Sequence, residues 1–271
     1  MKLTIGFQLA AMALLFACAP AVAAVKTEVV KYKAGDLEMQ GFLAWDDAPA
    51  AKRPGVLVAP EWTGVNDYAR NRAKQLAGMG YVAFVMDPYG GGKNAADVKE
   101  AAAWSTELKN NRKELRARAA AAFDVLKKNP NVDPRKTAAI GYCFGGTTVL
   151  ELARSGADLG GVVSFHGGLG TPMPAKAGEL KAKVLACHGA IDPFVPDQEI
   201  LAFRQEMTVA KADWYFIAYG GAVHSFTNPG ADAVGLEGVK YNEKADKRSW
   251  EAMKDFFAEI FQPQMDRDKR T

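Results

Sequence analysis

The sequence predicts an α/β fold: a mostly parallel central sheet with helices on both faces, entered through an N-terminal antiparallel hairpin. Three observations lead there. Short, continuous apolar runs bounded by Pro, Gly or Asp recur along the chain, as expected for strands covered on both faces. Segments with helical spacing lie between them, and this alternation favours right-handed βαβ units. The composition is globular, with 49% apolar and 24% charged residues in 271. A net charge of +3 is too small to make nucleic acid or an anionic membrane the main partner.

The elements follow in chain order. Residues 1 to 23 read as a signal peptide, because Lys2 precedes the apolar run Leu3 to Ala17 and Ala21-Val22-Ala23 closes it. The run is shorter than the ~20 residues that span a bilayer. An alternative takes Leu15-Phe16-Ala17-Cys18 as a lipoprotein processing site with Cys18 lipidated, and either way an exported, periplasmic protein is expected. Lys26 to Tyr32 and Leu37 to Trp45, joined by Ala-Gly-Asp, form the expected hairpin. Strands are then expected at Val56 to Ala59, Tyr81 to Met86, Thr137 to Ile140, Gly161 to Phe165, Lys183 to Cys187 and Trp214 to Tyr219. Leu115, Ala119, Ala122, Phe123 and Leu126 mark one helix, Thr147 to Arg154 a second, and Trp250, Met253, Phe257 and Ile260 a third. No internal repeat or Pro- or Ser-rich linker interrupts residues 24 to 271, which read as one domain. The charged tail 266 to 271 reads as a frayed end.

Chemistry concentrates at Gly141-Tyr142-Cys143-Phe144-Gly145-Gly146, between an expected strand and an expected helix. A nucleophile on so tight a turn needs small residues two positions before and after it. Gly141 and Gly145 supply them, and with 26 Gly and 3 Cys in the chain such a match is rare by chance. The helix that follows directs its N–H groups and positive dipole end at the sulfur, favouring the thiolate. Cys187, inside an apolar strand, reads as packing.

A nucleophilic thiol needs a base, and the chain has three His. His224 follows the last strand, and Asp192 lies between nucleophile and His in the order used by hydrolases of this architecture. His188 sits four residues before Asp192 on the same strand end and reads as structural, as does His166. Scattered His and Cys show no metal-ligand spacing, so neither metal nor organic cofactor is expected.

Four motifs in order resemble the dienelactone hydrolase family: Pro60-Glu61-Trp62-Thr63-Gly64-Val65-Asn66, the Cys143 turn, His188-Gly189-Ala190-Ile191-Asp192-Pro193, and His224-Ser225-Phe226. The resemblance covers most of residues 24 to 271. It implies the α/β-hydrolase fold and a triad of Cys143 as nucleophile, His224 as base and Asp192 as its orienter. It also implies that Glu61 lies beside the thiol and takes part in its activation, keeping Cys143 protonated until substrate displaces the carboxylate. Fold geometry nominates the backbone N–H groups of Phe144 and Trp62 as the oxyanion hole.

Members of the family that open dienelactone hold its carboxylate with two Arg. One of those positions is Asn228 here, and the other region reads Pro88-Tyr89-Gly90-Gly91-Gly92-Lys93. Lys93 supplies charge without a bidentate fork. Tyr89, Trp62 and Phe226 either wall an aromatic mouth for a less charged ester or lactone, or pack as ordinary core. The expected function is a secreted hydrolase that cleaves a small-molecule ester or lactone through a thioester acyl-enzyme. The alternatives are a thiol protein using Cys143 for redox or ligand capture and an inactive binding protein on the same fold.

Overall fold

The computed structural model describes residues 24–47 and 52–261. The expected signal peptide, the alternative processing site at Cys18 and the tail 266 to 271 lie outside the described residues. One eight-stranded sheet organises the molecule, in the order β1-β2-β4-β3-β5-β6-β7-β8. β1 (Val25–Ala34) and β2 (Leu37–Asp46) pair antiparallel from Val25↔Asp46 to Ala34↔Leu37, turning at Gly35, which adopts φ +60. The hairpin is thus a few residues longer than the sequence pattern marked, extending through Val25, Lys33, Ala34 and Asp46, with β1 as an exposed edge. β2 also runs antiparallel to β4 (Val82–Val85), and every later pairing is parallel.

The central strands alternate their side chains between two cores, which is why they read as unbroken apolar runs. In β3 (Arg53–Ala59), Leu57 and Ala59 face one side while Val56 and Val58 face the other. Val162 and Val163 of β6 (Gly161–Phe165) divide in the same way, as do Val184 and Leu185 of β7 (Lys183–Gly189). One core is closed by α3 (Arg112–Lys128), α4 (Phe144–Arg154) and α5 (Asp197–Val209), the other by α1 (Asp67–Gly78) and α6 (Glu243–Phe261). The helical stripe of α3 is buried at all five marked positions. α2 (Val98–Asn110) precedes α3, and β8 (Trp214–Tyr219) is a half-buried edge.

The site depends most on β5 (Val132–Tyr142) and α4. The helix begins at Phe144, three residues before the sequence marked it, because the chain bends within Cys143 alone. All eleven residues of α4 are buried, including two charged ones. Glu151 accepts from Arg116 Nε at 2.8 Å and from Arg154 Nη1 at 3.1 Å, while Arg154 Nη2 reaches Glu206 at 2.7 Å. Buried charges are tolerable only when paired and hydrogen-bonded in this way. The network ties the far end of α4 to α3 and α5.

Candidate active site

The carboxyl ends of β3, β5, β7 and β8 converge on one cleft, as expected for a parallel sheet of this kind. Cys143 follows β5 with φ 53, a left-handed backbone that a non-glycine residue adopts only under constraint. The constraint is visible at the glycines. A Cβ on Gly141 would lie 2.0 Å from the Gly145 carbonyl oxygen, and one on Gly145 would lie 2.0 Å from that of Ala59. Neither distance is survivable, so the turn can pass between β3 and β5 only without those side chains.

Cys143 is partly exposed and occupies the N-cap position of α4, where no side chain caps the helix. In the first turn of α4 the N–H groups of Gly146 and Thr147 turn back to the Cys143 carbonyl, at 2.9 and 3.3 Å, and the positive end of the helix dipole lies beside Cys143. The Cys143 N–H itself is already used, by the Phe165 carbonyl at 3.0 Å and by His166 Nδ1 at 3.1 Å. The next amide, that of Phe144, is therefore the first donor the helix can present to a developing charge.

His224, on the loop after β8, has Nδ1 2.8 Å from Asp192 Oδ2 and lines the same cavity as Cys143. Asp192, on the loop after β7, also accepts the Phe194 N–H at 2.9 Å and is 6% exposed, so its carboxylate is fixed in place. Burial alone would depress the basicity of His224. The negative charges of Cys143 and Asp192 outweigh it, and its pKa is pushed up to about 10. Such an arrangement can carry an imidazolium beside a thiolate and move a proton between sulfur and a reacting oxygen.

Glu61 opens the turn after β3 and is 6% exposed. Its Oε2 accepts from Asn228 Nδ2 at 2.7 Å and its Oε1 from the Ser225 hydroxyl at 3.2 Å. Burial pushes its carboxyl above the usual range, against the pull of Asn228, His224 and Ser225. Asn228 thus occupies itself with Glu61. The sequence marked this residue only as a missing Arg, and it gave no sign that Ser225 shares the task.

A cavity of about 350 Å³ opens on these groups, lined by Glu61, Trp62, Cys143, Phe144, His224 and Asn228. Its outer wall is apolar: Phe194 and Val195 come from the Asp192 loop, and Val234, Leu236 and Val239 from the loop after β8. Ser105 and Lys109 of α2 complete the rim.

Three residues expected to touch substrate are placed elsewhere. Phe226 is fully buried, packed edge-on against His166. Tyr89 turns inward, stacks on Phe144 and donates its hydroxyl to the Trp62 carbonyl at 2.7 Å. Lys93 is absent from the cavity wall because the buried carboxylate of Asp87 gathers the N–H groups of Tyr89, Gly90 and Gly92. This folds the segment against the 61–64 turn, where the Lys93 carbonyl meets Gly64. His188 and Cys187 are buried, as their structural readings required. His166 is buried too, though its bond to the Cys143 amide was not foreseen. Among the described residues no cluster of His, Cys, Asp and Glu is suited to hold a metal, and no helix is long and apolar enough to cross a membrane.

Known proteins resemble this chain in sequence and fold. The model of the dienelactone hydrolase family matches residues 39–261. A putative carboxymethylenebutenolidase of Synechocystis is 25% identical over 246 residues, covering 86% of this chain and 96% of that protein. Of the solved structures, m3DLH is 45% identical with a TM-score of 0.84, covering 88% of this chain and 100% of its own. A dienelactone hydrolase-like promiscuous phosphotriesterase from metagenomic libraries is 42% identical, with the same TM-score and coverage. The match begins in β2, takes in every strand end that lines the cleft and runs to the last residue of α6, and so the chain belongs to the dienelactone hydrolase family of ester and lactone hydrolases.

Proposed function

We propose that this ester and lactone hydrolase uses Cys143 as its nucleophile and passes through a thioester acyl-enzyme. The single observation that carries the reading is the convergence of Cys143 with His224, itself hydrogen-bonded to Asp192, on the wall of one largely apolar cavity. His224 takes the thiol proton, the sulfur attacks the carbonyl carbon, and the N–H groups of Phe144 and Trp62 receive the oxyanion. Collapse breaks the bond to the ring or alkoxy oxygen, which takes the proton from the imidazolium. Water then attacks the thioester with His224 as base, releasing the acid and restoring the thiol. Asp192 keeps the imidazole oriented and stabilises its charged form throughout. Glu61, held by Ser225 and Asn228 on the wall of the same cavity, regulates the thiol.

The preferred substrate has an apolar body. Asn228 and Lys93 cannot provide a guanidinium fork for a small anionic lactone, and the wall is built of Phe194, Val195, Val234, Leu236 and Val239. The likeness to a promiscuous phosphotriesterase supports a second reading, in which neutral phosphotriesters are attacked by the same sulfur. The signal-like residues 1 to 23 support export to the periplasm, with processing after Ala23 favoured over lipidation at Cys18.

Hydrolysis of p-nitrophenyl acetate by wild type and Cys143→Ala tests the nucleophile. A fall in kcat of roughly 10³-fold or more is expected, by analogy with loss of any nucleophile that works as part of a triad. Equal rates would end the proposal.

A further inference from the structure

Behind the imidazole of His224 lies a second one. His166 follows β6, is fully buried, and holds φ 41, a strained backbone for its residue type. Its Nδ1 accepts the Cys143 N–H at 3.1 Å, so Nδ1 carries no proton and Nε2 carries the hydrogen. Nε2 lies 2.7 Å from the Thr227 hydroxyl, which is itself 2.6 Å from the Tyr68 hydroxyl. Thr227 belongs to the loop that carries His224, and its carbonyl is gripped by Arg72 Nη2 at 2.7 Å. One ring therefore joins the nucleophile's turn to the base's loop. It also packs edge-on to His224, with centroids 5.4 Å apart.

We propose that His166 is a positioning residue, a brace that sets the separation of the Cys143 sulfur from the His224 imidazole. A protonated His166 would present a second donor to the Cys143 amide, so the brace works only as a neutral ring. Its surroundings enforce that state. Burial, then the charges of His224 and Arg72, hold it well below the ordinary imidazole range, and the other titratable groups near it are Tyr142, Tyr68 and His188. The strain at φ 41 is what aims the ring under the turn rather than along the strand.

The inference rests on Cys143 being the nucleophile, and its test separates the two. Three substitutions take the ring apart. His166→Phe keeps the volume and removes both bonds. His166→Asn restores an acceptor at the position of Nδ1 only, and His166→Gln restores a donor near Nε2 only. The readouts are the pH profile of Cys143 carbamidomethylation by iodoacetamide, followed by peptide mass spectrometry, and kcat for p-nitrophenyl acetate. His166→Phe and His166→Gln are expected to lower both rates roughly 10- to 100-fold at pH 7 and to displace the profile, the scale of effect that misplacement of a reacting group by about 1 Å produces. His166→Asn is expected to stay within about 3-fold of wild type. Thr227→Val, which leaves the ring in place, is expected to lose a few-fold and serves if the Phe variant does not fold. Superimposable profiles for wild type and His166→Phe, or for wild type and Thr227→Val in its place, would overturn the brace while leaving Cys143 as nucleophile. Complete modification of Cys143 without loss of hydrolysis would instead overturn the nucleophile.

Discussion

The turn after β5 and the loop after β8 each bring a side chain of the candidate site, Cys143 and His224, to the same cleft, yet they are held there by opposite means. The turn is fixed by exclusion: Gly141 and Gly145 leave no room for any other path between the strands. The loop is fixed by attachment. Ser225 and Asn228 bind Glu61, Thr227 binds His166 and Arg72, and His224 binds Asp192. A region built by exclusion announces itself in a short motif. A region built by attachment depends on partners far away in the chain, and its residues look ordinary until those partners are known.

Breaking the turn should have the larger effect. Gly145→Ala places a methyl group 2.0 Å from the Ala59 carbonyl oxygen, which backbone cannot vacate without separating α4 from β3. Overpacking of this severity costs about 3 kcal/mol or more. At roughly 2–4 °C per kcal/mol for a chain of this size, the melting temperature should fall by about 6–12 °C, with most soluble material lost on expression. Calorimetry of the variant checks this, and a melting temperature equal to wild type would show that the turn is not sterically closed.

The loop should reveal itself through pH instead. The pKa of His224 is raised from 6.5 to about 10 in the folded protein, so folding binds its proton more tightly. The resulting stabilisation is complete below about pH 6.5 and is lost as pH rises toward 10. Wild type should therefore lose melting temperature across that window relative to His224→Gln, whose curve should be flatter there. Parallel curves would mean that the imidazole gains nothing from Cys143 and Asp192.

The smallest effect, and one of opposite sign, belongs to Glu61. Burial raises its carboxyl above the usual range, so ionisation opposes folding at neutral pH and the contribution worsens as pH rises through its folded value. Glu61→Gln keeps a carbonyl for Asn228 and an amide for Ser225 while removing the charge. A melting temperature higher by a few degrees at pH 7, with reduced hydrolysis, is expected; such exchanges of activity for stability are common at strained sites. A lower melting temperature would indicate that the carboxylate is stabilised by its partners more than it is penalised by burial.

These contrasts also explain what the sequence made legible. The sheet and its hairpin were readable because strands covered on both faces must be apolar throughout, and the glycines flanking Cys143 because the motif is local. Cys143, Asp192 and His224 were readable as residue types in a particular order, and Glu61 only through resemblance. Tyr89 and Phe226 misled because an aromatic near a strand end has the same sequence appearance whether it faces solvent or core. Here the Trp62 carbonyl captures one and His166 the other. Val234, Leu236 and Val239 carried no signal, since they form cavity wall from a loop with no periodicity. The partnership of Glu61 with Ser225 and Asn228, more than 160 residues apart, has no local signature at all.

The cavity wall itself has a consequence for how such a protein diversifies. Cys143 and His166 directly follow strands of the sheet, whereas Val234 and Leu236 belong to a peripheral excursion outside the two buried cores, anchored to His224 at Val239. Substrate preference can thus be rewritten by exchanging the aliphatic side chains of Val234 and Leu236, whereas Gly238, whose carbonyl accepts the His224 N–H at 3.0 Å, has to be left alone when a new acyl or leaving group is sought.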